Sequence, residues 1–380
     1  MIRETKVMIP FPAALLVAAC SGTPAEVSED LDSGNTVEQA ESHLARNCTL
    51  FQLRALRKEM AATLSAIAND PEVTSIPDFS VLLETADGRR FTHSSGSFTP
   101  DRSYESASTS KWVSAVVILD LVDRGLLTLD SEAGDVLPFW DEPGVTVQHL
   151  LSFTSGFSDE AACVHLGAAN FGNCVRSIYG ANLPDPPAPG ARFAYSNSHM
   201  QIAALMAIRA AGTASWAQLW ADFQDRTGHF PSAGYALPST TNPRVAGGMI
   251  LNGTEYLDFL RALYHGDLLS PAARAALFAD QRGPAFVVDS PIWAALGEDW
   301  SYGLGNWLEC PTATERGSFD CGPGHRNSSP GAYGAYPFID FENDYFGIIA
   351  RQGPRGTMRE GIQIFRAIES IARRWSTRSC

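Results

Sequence analysis

Ser108-Thr109-Ser110-Lys111 opens a run from Trp112 to Val122 in which only Ser114 and Asp120 are polar. A stretch that is apolar on every side predicts a helix buried nearly all round. A lysine at its start is then costly, because burial disfavours the ammonium and lowers its pKa. Only Lys6, Lys58 and Lys111 are lysines among the 28 basic residues, so a lysine in this setting stands out. Residues three apart on a helix share a face, which brings the Ser108 hydroxyl to the Lys111 amine as nucleophile beside base. The helix start adds free backbone N–H groups and the positive end of the helix dipole, both suited to a developing oxyanion. A capping serine followed by a snorkelling lysine would use the same residues, and S-x-x-K by itself does not separate the two readings.

Farther along, Pro189-Gly190-Ala191-Arg192-Phe193-Ala194-Tyr195-Ser196-Asn197 leads straight into another helical pattern, and Tyr195-Ser196-Asn197 is the only Y-x-N in the chain. S-x-x-K followed by Y-x-N resembles the serine β-lactamase and penicillin-binding superfamily, in particular its class C β-lactamase, D-aminopeptidase and family VIII esterase branch. Gly125-Leu126-Leu127-Thr128-Leu129-Asp130, the segment Thr146 to Gly156, Ala246-Gly247-Gly248-Met249 and Tyr302-Gly303-Leu304-Gly305 agree in order, so the resemblance spans about residues 50 to 375. It implies that Ser108 attacks a carbonyl, that Lys111 and Tyr195 share the proton transfers, and that Asn197 hydrogen-bonds substrate and holds Lys111. The chemistry also stands by itself: a tyrosine hydroxyl titrates near 10 and needs a neighbouring ammonium to serve as a base or relay. Phe153-Thr154-Ser155-Gly156 stands where the family has His-Thr-Ser-Gly and is expected to form a structural turn at a helix end; no role is assigned to Phe153.

The third family motif, Lys or His followed by a small residue and Gly, is altered here. Its best-placed counterpart is Ser329-Pro330-Gly331-Ala332, so the usual cation has become Ser329. Gly331 still suits a close backbone approach, and the Ala332 N–H is expected to complete an oxyanion hole with that of Ser108. Because the family's cation pairs with the carboxylate of β-lactams and D-alanyl peptides, esters or uncharged amides are the expected substrates. His325 and Arg326 lie upstream as candidate substitutes for that cation, but their register is wrong for the motif and they read rather as solvated loop. The expected function is an exported serine hydrolase that forms an acyl-Ser108 intermediate without metal or organic cofactor. A peptidoglycan carboxypeptidase or β-lactamase, and a catalytically silent binding lipoprotein, are the rivals.

Outward from these motifs, Leu53, Leu56, Met60, Leu64 and Ile67 mark a first helix ending before Pro71. Phe79 to Glu84 and Arg90 to Ser94 flank Ala86-Asp87-Gly88 as a hairpin. Tyr302 to Leu308, Ala332 to Asp340 and Tyr345 to Arg351 read as further strands, and Ile364, Ile368, Ile371 and Trp375 as one closing amphipathic helix. Strands at both chain ends around a mostly helical stretch, about 105 to 280, predict an α+β fold. An antiparallel sheet built from both termini carries terminal helices and an inserted helical lobe, the β-lactamase-like arrangement that the resemblance implies.

With 45% hydrophobic and 18% charged residues the chain has material for a large core. Its net charge of −14 opposes the phosphate neutralisation that nucleic-acid binding needs. Arg3 and Lys6 precede an apolar run from Val7 to Ala19, the right length for a secretory signal over residues 1–20. Leu16-Val17-Ala18-Ala19-Cys20 resembles the bacterial lipoprotein box, which implies a diacylglycerol anchor on Cys20 and a periplasmic or cell-surface protein. Residues 21–45 read as a flexible acidic tether and 46–380 as the hydrolase domain. Setting Cys20 aside leaves six of the 7 cysteines. Cys163 with Cys174 and Cys310 with Cys321 are each eleven apart, which leaves Cys48 to meet Cys380. No C-x-x-C or H-E-x-x-H occurs to suggest zinc.

Overall fold

The computed structural model describes residues 48–183, 186–322 and 326–380. The signal run, Cys20, the tether and His325 fall outside those residues. Helix α1 (Leu50–Ile67) opens on a reciprocal cap, in which the Thr49 hydroxyl accepts from the Gln52 N–H and the Gln52 side chain accepts from the Thr49 N–H. Its buried face is Leu53, Leu56, Met60 and Leu64, at the spacing read in the sequence.

Seven strands make the main sheet: β1 (Phe79–Thr85), β2 (Arg90–Ser95), β3 (Ser301–Tyr302), β4 (Trp307–Leu308), β5 (Arg326–Ser328), β6 (Tyr336–Asp340) and β7 (Tyr345–Ala350). Their spatial order is β2-β1-β7-β6-β5-β4-β3, antiparallel throughout. The first strand of the sequence pairs with the last, Ser80 opposite Ala350 and Thr85 opposite Tyr345, so both chain ends build one sheet. The turn between β1 and β2 places Gly88 at φ +81°, a conformation open to glycine at no steric penalty.

Three readings of the sequence change. Tyr302 to Leu308 is a hairpin rather than one strand, because the Gly303 N–H bonds the Asn306 carbonyl and Gly305 turns the chain at φ +76°. The strand expected from Ala332 starts only at Tyr336, since the Gly331 N–H closes a turn on the Ala335 carbonyl at 2.8 Å. The closing amphipathic stretch is two helices, Met358–Arg366 and Glu369–Ser376.

Between the chain ends lies the mostly helical stretch, with α2 (Ser110–Asp123) buried from Ser110 to Leu121 as its apolar run demands. Helix α3 (Asn197–Ala210) follows the Tyr195 segment. One helix of this stretch, Gly253–His265, lies on the sheet instead. A Cβ at Gly253 would sit 2.9 Å from the Ala350 Cβ, and Arg261 grips Glu84 of β1. The three bridges form as read: Cys48–Cys380, Cys163–Cys174 and Cys310–Cys321. No helix of the described residues is long and apolar enough to cross a membrane.

Candidate active site

Ser108 sits in a short 3-10 turn, Ala107–Thr109, immediately before α2. Ala107 is held at φ +48°, a left-handed conformation unusual for a residue with a Cβ. Surrounding bonds hold the turn there. The Ser106 N–H and hydroxyl both donate to the Met249 carbonyl, at 3.0 and 2.9 Å, and the Ser110 hydroxyl donates to the Ala107 carbonyl at 2.7 Å. The Tyr256 hydroxyl donates to the Thr109 carbonyl. Ser108 therefore rides on a turn tied to two neighbouring segments.

Lys111 is 2% exposed, and its Nζ lies 3.0 Å from the Ser108 Oγ and 2.9 Å from the Ala246 carbonyl, to which it donates. Burial pulls its pKa down to about 7, with Glu160 acting the other way and Arg244 adding to the lowering. A lysine so placed is neutral often enough near pH 7 to take the Ser108 proton. The bond expected from Asn197 to Lys111 is not formed among the described residues; the Ala246 carbonyl takes that place. Asn197 instead lines the cleft beside Ser108, and its backbone N–H donates to the Glu160 Oε1 at 2.8 Å.

Tyr195 follows a short strand, Arg192–Ala194, that pairs in parallel with Phe286–Asp289, and its own N–H bonds the Asp289 carbonyl. Its ring stacks on Trp307 at 5.2 Å, meets Phe153 edge-on at 5.3 Å, and lies under the Lys111 Nζ at 4.6 Å. Desolvation pushes its hydroxyl well above the usual phenol range, with hydrogen bonds to Ser108 and Trp307 working the other way. Of the two groups, Tyr195 is thus held as a neutral hydroxyl and Lys111 is the one whose proton is loosened. Phe153 does end the helix Val147–Leu151, at φ +61°, and its ring also stacks on His199 at 5.1 Å.

His199 was not singled out by the sequence. Its Nε2–H donates to the Ala194 carbonyl at 3.0 Å and its Nδ1 accepts from the Ser155 hydroxyl at 2.8 Å. Burial lowers its pKa to about 4, so it is a neutral prop for the peptide next to Tyr195. Three further residues became visible only in the fold, Glu160, His165 and Arg244; of these only Arg244 had a nearby signal, two residues before the Ala246-Gly247-Gly248 segment.

The segment Ser329 to Ala332 meets Ser108 from the other side. The Ser329 hydroxyl donates to the Ser108 carbonyl at 3.0 Å, and a Cβ at Gly331 would lie 2.5 Å from the Ser106 carbonyl oxygen. Ala332 borders the same cleft as Ser108, and neither of their N–H groups has a partner among the described hydrogen bonds. Arg326 is not solvated loop: it is buried in β5 among Glu309, Asp340 and Glu369. Arg351 is fully buried against Glu360 at 2.7 Å. Two cavities open at Ser108. One, of about 400 Å³, is largely apolar, bordered by Tyr195, Pro291, Ala294, Ala295 and Met358. The other, of about 150 Å³, is polar and includes Asn197, Arg244 and Arg355.

Solved structures share this architecture. A putative beta-lactamase from Bacteroides dorei is 27% identical, with 78% of this chain and 93% of that one covered at a TM-score of 0.66. EstCE1, described as a hydrolase with promiscuous acyltransferase activity, is 17% identical over 83% of this chain and 98% of its own, at 0.65. A D-stereospecific amidohydrolase from Streptomyces is 18% identical over 80% and 97%, at 0.58. The beta-lactamase family model matches residues 67–364, a span that contains the S-x-x-K helix, the Tyr195 segment and the Ser329 turn, and the chain accordingly belongs to the beta-lactamase family of hydrolases.

Proposed function

We propose that the protein is an exported serine hydrolase that cleaves an ester or amide through an acyl-Ser108 intermediate, with esters favoured. The observation that carries this reading is the 3.0 Å approach of the Lys111 Nζ to the Ser108 Oγ, by a lysine whose pKa is drawn to about 7. Ser108 loses its proton to Lys111 and attacks the acyl carbon. The N–H groups of Ser108 and Ala332 take the oxyanion, and the Lys111 ammonium returns the proton through Tyr195 to the leaving oxygen or nitrogen. Water then repeats the sequence in reverse to free Ser108. Asn197 borders the cleft where it is able to hydrogen-bond the acyl group.

Preference for esters rests on Ser329, which offers no charge, and on the apolar cavity beside Tyr195. The solved relatives include both an esterase-named hydrolase and an amidohydrolase, which fits acyl transfer as the shared chemistry. Three disulfides suit an oxidising compartment, and with Cys20 as lipid anchor the enzyme would face a periplasm or cell surface, with no nucleic-acid partner. A fluorophosphonate should label Ser108 once, and the same preparation should be assayed on short-chain p-nitrophenyl esters, nitrocefin and D-amino acid anilides. Labelling elsewhere, or turnover that survives Ser108→Ala, would overturn the assignment. Loss of incorporated palmitate on Cys20→Ala in a bacterial host would test the anchor.

A further inference from the structure

Two arginines border the Ser108 cleft without a carboxylate partner. Arg355 is exposed and, among the described residues, forms no hydrogen bond, ion pair or ring contact. Arg244 is half-buried and donates to the His165 Nδ1 at 3.3 Å and, weakly, to the Gly247 carbonyl at 3.5 Å. His165 in turn holds Glu160 through its Nε2 at 3.1 Å, so with Nε2 donating, its Nδ1 is the lone-pair acceptor that aims Arg244. A Cβ at Gly247 would lie 3.5 Å from the Arg244 Nε and 3.6 Å from the Ala107 carbonyl carbon. The guanidinium and the nucleophile's turn therefore flank the same glycine.

The charge is concentrated rather than incidental. The chain carries −14 overall, and the guanidiniums of Arg326 and Arg351 are tied to acidic neighbours, yet among the described residues no carboxylate lines this cleft, Glu160 standing behind it on His165 and the Asn197 N–H. Guanidiniums with no carboxylate partner beside a reactive serine suit a bidentate anion. The two cavities also divide the substrate. Tyr195, which returns the proton to the leaving group, borders the apolar cavity and not the arginine cleft. The departing alcohol or amine must lie within reach of that hydroxyl, so the acyl half occupies the arginine side. At about 150 Å³ the cleft takes only a short acyl chain.

We propose that Arg244 and Arg355 bind a carboxylate on the acyl half, so that the preferred substrates are monoesters or monoamides of short dicarboxylic acids with an apolar alcohol or amine. The inference rests on the acyl-serine reading and replaces the expectation of uncharged substrates drawn from Ser329 alone. In the reaction the Ser108 Oγ–acyl bond forms as the ester C–O bond breaks and the alcohol leaves with one proton. Water then releases the free dicarboxylate.

Monobenzyl glutarate and benzyl valerate differ by a carboxylate in place of a methyl, and benzyl alcohol release reports both. Wild-type enzyme is expected to favour the glutarate in kcat/KM. Arg244→Gln and Arg355→Gln are each expected to lower the glutarate-to-valerate ratio about 10-fold or more, mainly through KM. Arg355 is exposed, so its variant keeps the test informative should Arg244→Gln fail to fold. A ratio that stays put in the folded variants, or a wild-type preference for valerate, overturns the subsite. If Ser108 still takes fluorophosphonate and the valerate is turned over, the hydrolase reading survives that result; no labelling and no turnover of either ester would remove both.

Discussion

The Ser329 hydroxyl donates a 3.0 Å hydrogen bond to the backbone carbonyl of Ser108, across 221 residues of sequence. The residue that replaces the family's third-motif cation thus fastens the nucleophile's own peptide instead of reaching for substrate charge. Ser329 is only 2% exposed, so water does not readily replace its side of a lost bond.

Ser329→Ala should therefore lower stability by about 1 kcal/mol, the usual net worth of such a bond. Its effect on turnover should be larger than that figure alone suggests, because a small shift of the Ser108 peptide moves both the attacking oxygen and an oxyanion donor. A fall in kcat of about tenfold with little change in KM is expected from steady-state kinetics on p-nitrophenyl butyrate. Wild-type kcat in the alanine variant would show that the bond is dispensable.

Lys111 is expected to set the pH profile. With its pKa lowered to about 7, the neutral amine that takes the Ser108 proton is lost as pH falls, so kcat/KM should drop below a midpoint near pH 7. Lys111→Arg should be inactive at every pH, since arginine stays charged. The same shift bears on stability. Between about pH 7 and the ordinary value of 10.5 the unfolded chain binds a proton that the folded chain does not, so this group's penalty is full below 7 and fades as pH rises through that window. The Tm difference between Lys111→Met and wild type should accordingly shift in wild type's favour from pH 7 to pH 10. A pH-independent difference would mean that Lys111 titrates normally.

Much of this was legible from local pattern, and the failures share a cause. The Ser108–Lys111 approach and the two cysteine pairs eleven apart rest on spacing along the chain, Cys48–Cys380 follows by elimination, and each forms in the fold, whereas the bond expected from Asn197 to Lys111 does not. Arg326 read as loop because its partners Glu309, Asp340 and Glu369 are distant in sequence and meet only when β5, β6 and the last helix pack. Arg244, His165 and Glu160 come from separate segments in the same way. Tyr302 to Leu308 carries Gly303, Gly305 and Asn306 between its apolar ends, a turn signal that the single-strand reading passed over and that the φ of +76° at Gly305 makes plain.

The cysteine bridges should differ in worth. Cys48–Cys380 closes nearly the whole domain at a separation of 332, against 11 for each of the others. Chain entropy then predicts about 6 kcal/mol for the long closure and about 3 kcal/mol for a short one. Thermal unfolding of the paired alanine variants should rank Cys48→Ala with Cys380→Ala as the least stable. The reverse ranking would show that strain or residual unfolded structure governs the bridges.

Gly331→Ala tests how tightly the third motif is pressed against the nucleophile's turn. A Cβ there would lie 2.5 Å from the Ser106 carbonyl oxygen and 3.3 Å from the Thr109 Cγ2, and the first of these is backbone that has no rotamer to escape into. Ser106 is itself fixed by two bonds to the Met249 carbonyl, so the strain should pass into the Gly331–Ala335 turn and carry the Ala332 N–H away from the oxyanion position. Losing one such donor costs about 10²- to 10³-fold in kcat. The expected variant is folded, less stable by about 1 to 3 kcal/mol, still labelled at Ser108 by fluorophosphonate though more slowly, and nearly inactive on esters. Near-normal kcat in this variant would remove Ala332 from the oxyanion hole and leave the Ser108 N–H to be paired with another donor.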